Sequence, residues 1–473
     1  MSDAGSPQGA KAPTGGSAVH AVFSQSGEAT SVGVHGTAGP PLWRLLQAAA
    51  VALAAVRSGV SGTAALNQVD PPLRPAVQAL VFQVLRSLAR AEHLRRQLAA
   101  RKPPAAADAL LCVVLALGWR AEDAPYEVFT LVNQAVEAVK RNPATLAQAG
   151  FVNACLRRFL RERDALVACS DLDPVVLWNH PAWWINRLQL DHPDRWQEIL
   201  RADNRHAPMT LRVNARKSTP AAYLERLQTA GIAAFAVGQS GICLQQAVPV
   251  HLVPGFDAGV VSVQDSAAQM AAPLLLDGMG AGPLPRVLDA CAAPGGKTAH
   301  LLELADCDVT ALELDPARGE RIHQTLGRLG LQARVVVGDA SRPGDWWDGE
   351  PFDAVLLDAP CTASGIVRRH PDVPWLRRES DVAQLAVVQA RLLRTLWALL
   401  KPGGRLLYGT CSVFRDEGSG QIQTFLAHNT GALLRPSPGH LLPHFDANRE
   451  GVPDNWPGDH DGFFYALLEK RPA

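Results

Sequence analysis

The sequence predicts an α/β protein: a doubly wound sheet in the carboxyl-terminal part, preceded by a small α/β module and an all-helical domain. After residue 277, short apolar runs alternate with longer helical stretches, the pattern of a largely parallel sheet wrapped on both faces. Between residues 41 and 170, apolar residues recur at helical spacing. The length of 473 residues accommodates about two to four domains.

Composition excludes several classes. With 47% hydrophobic and 19% charged residues the chain is globular rather than disordered. Its 45 basic and 45 acidic side chains cancel, which excludes a uniformly polycationic nucleic-acid coat but leaves room for local basic stripes. The eight cysteines, at 112, 155, 169, 243, 291, 307, 361 and 411, include no Cys-x-x-Cys pair, so no metal site is expected and the thiols read as reduced and intracellular. The apolar stretch Ala109 to Trp119 falls short of the roughly 20 residues that span a bilayer. Asp3 stands where a secretory signal needs positive charge, and the first apolar run is interrupted by Arg44 and Gln47. The expectation is a cytoplasmic protein without a membrane segment.

Residues 1–40 are rich in Gly, Ser, Ala and Thr, with Lys11 their only Lys or Arg, and are expected to be a disordered tail. Residues 41–170 form the helical domain: Val77, Leu80, Val81, Val84, Leu85 and Leu88 mark one apolar face, and Leu131, Val132, Ala135, Val136 and Val139 another. Basic clusters lie between these faces, Arg86 to Lys102 and Arg157 to Arg163, and either coat a solvated face or bind a polyanion. Residues 171–276 hold a Pro- and Trp-rich linker and the small module, with strands near Leu211–Asn214 and Ile232–Val237 around a helix Ala221–Thr229. In residues 277–473 the candidate parallel strands are Val287–Leu288, Val309–Leu312, Val335–Val337, Ala354–Leu357 and Leu406–Tyr408.

In a doubly wound sheet, ligands bind beyond the carboxyl ends of the strands, so the residues after each run carry the chemistry. The first run ends in Asp289-Ala290-Cys291-Ala292-Ala293-Pro294-Gly295-Gly296-Lys297-Thr298, where two glycines permit close backbone approach and a helix amino terminus follows. A phosphate-binding P-loop would need glycine where Cys291 stands. Glu313 ends the second run, about 20 residues beyond the glycines, where an acid commonly meets ribose hydroxyls. Asp339 follows the third run, and Asp358-Ala359-Pro360-Cys361 the fourth. Together they describe a site for a nucleoside-bearing cofactor without a pyrophosphate.

The runs Cys291 to Lys297, Asp358 to Gly365, Arg368 to Asp372 and Gly409 to Ser412 resemble the S-adenosylmethionine-dependent RNA cytosine-C5 methyltransferases. Phe151 to Arg158, Pro208 to Asn214, Ser262 to Ser266 and Asp461 to Tyr465 extend the likeness over nearly everything after residue 42. The resemblance implies a Rossmann-like methyltransferase core in 277–473, a helical domain similar to the antitermination factor NusB that binds RNA through its basic clusters, and a middle module lining the RNA channel. It implies S-adenosylmethionine as cofactor, 16S ribosomal RNA as substrate and a monomer. By the same resemblance, the backbone from Cys291 through Ala292, Ala293, Pro294, Gly295 and Gly296 to Lys297 surrounds the cofactor's methionine and ribose, Glu313 binds its ribose hydroxyls and Asp339 its adenine. The resemblance also places Asp358 against the cofactor. Transfer RNA or large-subunit RNA is the alternative substrate, and a non-catalytic assembly factor the alternative class.

Two cysteines and an acid suit that chemistry. Carbon 5 of cytosine is a poor nucleophile until a thiolate adds at carbon 6 and turns the ring into an enamine. On chemical grounds either Cys361, in a Pro-Cys motif, or Cys411, in a Thr-Cys motif, could attack. The RNA family places the nucleophile at the position of Cys411, which leaves Cys361 to assist release and Asp358 to hold the cytosine N3 and N4 edge. Two departures stand out: Glu313 replaces the family's usual aspartate, and Pro374 stands where related sequences often carry lysine.

Overall fold

A computed structural model describes residues 39–120, 124–279, 284–443 and 459–472. The expected tail lies outside the described residues except for Gly39 and Pro40.

Helices Leu42–Arg57, Gly62–Asn67, Arg74–Leu85, Leu88–Leu98, Ala105–Gly118, Val128–Lys140 and Ala149–Ser170 build the amino-terminal bundle. Helix Ala105–Gly118 is its axis: apolar nearly all round, it is buried continuously from Ala107 to Gly118. Asp108 in its first turn is buried too, and Arg57 and Arg95 pair with it at 3.1 and 2.9 Å. The basic clusters therefore divide. Arg95, Arg90 (bonded to Ser170 and Asp171) and Arg86 (donating to the Arg368 carbonyl) hold the fold together. Arg96, Arg101, Lys102, Arg157, Arg158 and Arg161 are exposed. Among the described residues no helix is long and apolar enough to cross a membrane.

The stretch expected to be a linker folds into three short helices, Pro174–Trp178, Ala182–Asp191 and Trp196–Asp203. Their buried Trp184 packs edge-on against Phe414 with ring centres 5.0 Å apart. The small module is a four-stranded antiparallel sheet, β1 (Met209–Val213), β2 (Ala234–Val237), β3 (Gly241–Leu244) and β4 (Val261–Val263), in the order β2-β3-β1-β4. Helix Pro220–Thr229 covers it through Tyr223 and Leu227.

Arg212 of β1 pins this module to the next one. Its guanidinium is fully buried, makes a bidentate pair with Glu303 (2.7 and 2.9 Å) and donates to Gln264 and the Gly296 carbonyl. Removing one partner strands a charge in the interior, so Arg212→Met is expected to lower stability by about 3–5 kcal/mol. The double variant Arg212→Met, Glu303→Leu should recover much of that loss. Denaturant unfolding of the three proteins checks this.

The large sheet contains β5 (Arg286–Ala290), β6 (Asp308–Glu313), β7 (Arg334–Val337), β8 (Phe352–Asp358), β9 (Leu400–Thr410), β10 (Ala432–Leu441) and β11 (Phe463–Lys470), in the order β10-β11-β9-β8-β5-β6-β7. The five expected strands, β5 to β9, are parallel; β11 runs antiparallel between β9 and β10. β10 and β11 have no counterpart among the strands expected from the sequence; β10 carries two prolines and a glycine, which its edge position tolerates. Strand order reverses at β5 and β8, so a crevice opens beyond their carboxyl ends.

Candidate functional site

That crevice is built by the loops after β5, β6, β8 and β9. After β5 the backbone turns sharply, with Cys291 at φ 63° and Gly295 at φ 94°, the left-handed region that favours glycine. A Cβ on Gly295 would also lie 3.2 Å from the backbone of Ile322. Ala292 and Ala293 are buried, and Pro294 is exposed. Burial pushes the Cys291 thiol up to about 12, which keeps it protonated and unreactive.

Helix Gly296–Leu304 begins here and sends Lys297 across the crevice to the carboxylate of Asp358, at 2.7 Å. Burial alone would lower the Lys297 ammonium, but the Asp358 carboxylate outweighs it and holds it above its ordinary value. Lys297 also lies 5.6 Å from the centre of the Phe463 ring. Beneath them Asp289 is wholly buried. It accepts from the Thr298 hydroxyl at 2.5 Å, and its other oxygen has no partner among the described residues.

Burial pushes Asp289 up to about 7 against the opposing Thr298 hydrogen bond. Because this folded-state pKa lies above the ordinary carboxylate value, its stabilising proton is fully held only at low pH. Stability is lost as pH rises from about 4 through about 7. Asp289→Asn, which keeps the acceptor for Thr298, is expected to melt higher than wild type at pH 8 and to lose that advantage toward pH 4. Thermal melts across this range check it.

Glu313, at the end of β6, is almost fully buried and already engaged. It accepts from the backbone amides of Ala293, Leu314 and Asp315 at 3.1–3.2 Å and lies 3.5 Å from Arg318. Asp339, after β7, accepts from the Ser341 amide at 2.8 Å, which holds its carboxyl below the usual range. Its hydrogen bonds lie within its own loop, whereas Lys297 meets Asp358 and Ala293 meets Glu313.

The two cysteines meet. Asp358 pairs in register with Gly409, and the Ala359 amide donates to the Gly409 carbonyl at 2.8 Å, so the loops after β8 and β9 leave the sheet side by side. The Gly365 amide donates to the Cys411 carbonyl at 2.9 Å. Cys361 Sγ and Cys411 Sγ stand 3.3 Å apart, both reduced and partly exposed. The hydrogen bond to Cys411, then burial, then nearby negative charge push the Cys361 thiol well above its ordinary value. Cys112 and Cys155, by contrast, are buried in the helical bundle.

Residues to which the sequence assigned no role complete the site. Glu417 is buried behind both cysteines and accepts from Thr362, Ser412 and Gln389. Burial raises its pKa, and the hydrogen bonds from Ser412 and Thr362 oppose that rise. Its surroundings, Arg415-Asp416-Glu417, are three charged residues in a row, and no apolar periodicity marks them. Tyr465 of β11 is buried, with a hydroxyl that has no partner among the described residues; burial and the charge of Asp358 push it well above its ordinary value. Arg368 and Arg369 are clasped by Asp461, which the fold brings more than 90 positions back along the chain, and Arg369 also reaches Asp265. The Cys411 loop is braced from the three-helix segment, through His192 to the Val413 carbonyl (2.7 Å) and Asp191 to the Arg415 amide (3.0 Å).

Comparisons with known proteins are consistent along the chain. The profile of the 16S rRNA methyltransferase RsmB/F family matches residues 283–469, that of the ferredoxin-like domain of RsmF/B-like methyltransferases 180–251, and that of the NusB family 48–161. Ribosomal RNA small subunit methyltransferase B of Pseudomonas putida is 41% identical over 90% of this chain and 98% of its own length. The crystal structure of PH0851 covers 90% of this chain and 99% of its own at a TM-score of 0.68 and 24% identity, a likeness of fold. That of a methyltransferase homolog protein from Pyrococcus horikoshii covers 63% and 97%, at a TM-score of 0.52 and 27% identity.

Proposed function

Because the chain belongs to the 16S rRNA methyltransferase RsmB/F family, we propose that it transfers the methyl group of S-adenosylmethionine to carbon 5 of one cytosine in 16S ribosomal RNA, through a covalent bond from Cys411 to carbon 6. The observation that carries this reading is the pair of reduced sulfurs, 3.3 Å apart, beside the Lys297–Asp358 ion pair at the carboxyl ends of β8 and β9.

The crevice suits the cofactor. Asp289, Glu313 and Asp358 line the turn around Gly295 and Gly296, a set of acids fitted to a ligand bearing a sulfonium and an ammonium, and one oxygen of Asp289 is a buried acceptor still to be used. The residues proposed to hold it are Cys291 to Lys297, with Glu313 and Asp339 at its ribose and adenine. When bound, S-adenosylmethionine supplies an electrophilic methyl group.

The chain's own residues do the rest. Cys411 attacks as thiolate. Asp358, fixed by Lys297, holds the N3 and N4 edge of the base, which must leave its stack to enter. Cys361 keeps its proton while Cys411 is free, since their shared hydrogen bond is the first cause of its raised pKa. Once Cys411 is bonded to carbon 6 that cause is gone. Cys361 then gives its own proton to solvent and, as a thiolate, accepts the carbon-5 proton. The electrons of the C5–H bond re-form the ring double bond as the Cys411–C6 bond breaks and Cys411 leaves as a thiolate. The exposed arginines of the helical domain supply phosphate contacts that position the RNA.

The test is methyl transfer from labelled S-adenosylmethionine to unmodified 16S ribosomal RNA, with the product base identified and mapped. The expected product is 5-methylcytosine at one site. Activity confined to transfer RNA or 23S ribosomal RNA would overturn the substrate, and activity on no RNA would favour an assembly factor.

A further inference from the structure

The buried carboxylate behind the cysteines is unexplained by the steps above. Glu417 sits in the turn Arg415–Glu417 after β9 and is 0% exposed. Its Oε1 accepts from the Thr362 amide at 2.9 Å and from Gln389 Nε2 at 3.1 Å. Its Oε2 accepts from the Thr362 hydroxyl at 2.5 Å and the Ser412 hydroxyl at 2.6 Å. These donors come from the residue after Cys361, the residue after Cys411 and helix Glu379–Ala398. The main-chain carbonyl of Glu417 accepts from Tyr408 and Thr410 of β9, so the residue is fixed at both ends.

The hydrogens can be counted. Gln389 spends one amide hydrogen on Glu417 and the other on the Pro360 carbonyl. The Ser412 oxygen takes the Phe414 amide and meets the Ser364 hydroxyl at 2.8 Å, while the Ser364 oxygen takes the Val413 amide. With Ser364 donating to Ser412, and Ser412 and Thr362 donating to Glu417, every hydroxyl hydrogen has one acceptor. Glu417 then accepts four times and has no hydrogen to place, which is the arrangement of an ionised carboxylate. A negative charge is thus held one residue from Cys361, where Thr362 gives it two hydrogen bonds, and one residue from Cys411, where Ser412 gives it one. The other charged or titratable groups facing the pair are Lys297 with its partner Asp358, and Tyr465, on the Cys411 side, Tyr408, and Arg377, which donates to the carbonyls of Cys361 and Thr362.

We propose that Glu417 is the positioning residue of the cysteine pair: as a buried carboxylate it clamps the Cys361 and Cys411 loops together, and its charge leaves the first ionisation to Cys411. This rests on the reading above that the pair is catalytic. Glu417 touches no reacting atom in this role; it decides which sulfur is the thiolate and keeps the other 3.3 Å away.

The experiment compares the full chain as wild type, Glu417→Gln and Glu417→Asp, without RNA or cofactor. Each is alkylated with iodoacetamide over a range of pH, and the modification of each cysteine is followed by peptide mass spectrometry. The exposed Cys169 serves as internal standard. In wild type, Cys411 should react faster than Cys361 at pH 8. Glu417→Gln should narrow that ratio by about tenfold, one pK unit, with Cys169 unchanged, and Glu417→Asp, which keeps the charge, should preserve the order. In the same preparations kcat should fall in Glu417→Gln with KM for RNA little changed.

A ratio in folded Glu417→Gln equal to that of wild type would overturn the proposal. Should Glu417→Gln not fold, Gln389→Met removes one donor and leaves the carboxylate's charge less neutralised. The ratio should then widen, and an unchanged ratio would overturn the proposal equally. The two readings separate: wild type that methylates no RNA yet shows the shift in alkylation removes the proposed function and supports the role of Glu417, whereas active wild type with an unchanged ratio removes only the latter.

Discussion

Cys411→Ala is expected to abolish methyl transfer to RNA, a loss on the order of 10⁴-fold or more in kcat, as when other covalent nucleophiles are removed. The ring carbon that must attack the methyl group becomes nucleophilic only when sulfur adds next to it, and no neighbouring group can take over. Cys361 is near enough, at 3.3 Å, and Cys411→Ala removes the first cause of its raised thiol, but burial and the charge of Glu417 still push that thiol up; Cys291 is pushed up to about 12 by burial. Incorporation of labelled methyl into 16S ribosomal RNA, with cofactor binding measured separately to show an intact crevice, checks this. Activity within tenfold of wild type would move the nucleophile to Cys361.

Cys361→Ala should give the opposite signature: chemistry that starts and does not finish. Cys411 can still add to carbon 6 and the base can still be methylated, but nothing at that position accepts the carbon-5 proton, so the sulfur–carbon bond persists. The expected result is a protein–RNA species that survives denaturing electrophoresis, collapses on nuclease treatment and requires cofactor. It should be absent from the double variant Cys361→Ala, Cys411→Ala. Turnover should fall to a small fraction of wild type while a single round of methylation is retained. Full turnover without an adduct would remove Cys361 from the release step.

The site was legible in the sequence to the extent that it lies at strand ends. Asp289, Glu313, Asp339, Asp358 and Cys411 each follow an apolar run closely, and an alternating α/β pattern places such positions on one edge of a sheet. The burial of Glu417 and the place of Tyr465 in the site were not legible. Glu417 occupies a charged turn that gives no sign of burial, and Tyr465 lies on β11, whose insertion beside β9 depends on pairing across more than 50 residues of chain. The basic clusters show the same boundary from the other side. Local pattern made Arg90 and Arg95 look like neighbours of Arg96, yet the first two are consumed by Ser170, Asp171 and Asp108, while Arg96 faces solvent.

Local periodicity and residue chemistry were enough to establish three kinds of architecture along the chain, the order of the five parallel strands in sequence, and which acids and thiols stand at their ends, because these are properties of neighbouring residues. Which of those groups meet depended on the strand order of the sheet and the packing of the modules. The reversal at β5 and β8 brings Lys297 to Asp358 over 61 positions, adjacent strand ends bring Cys361 to Cys411 over 50, and Glu417 is made an interior anion by loops folded over it. A side chain's proton affinity is set by distance to other charges and by exclusion of water, and both are quantities of the folded chain alone.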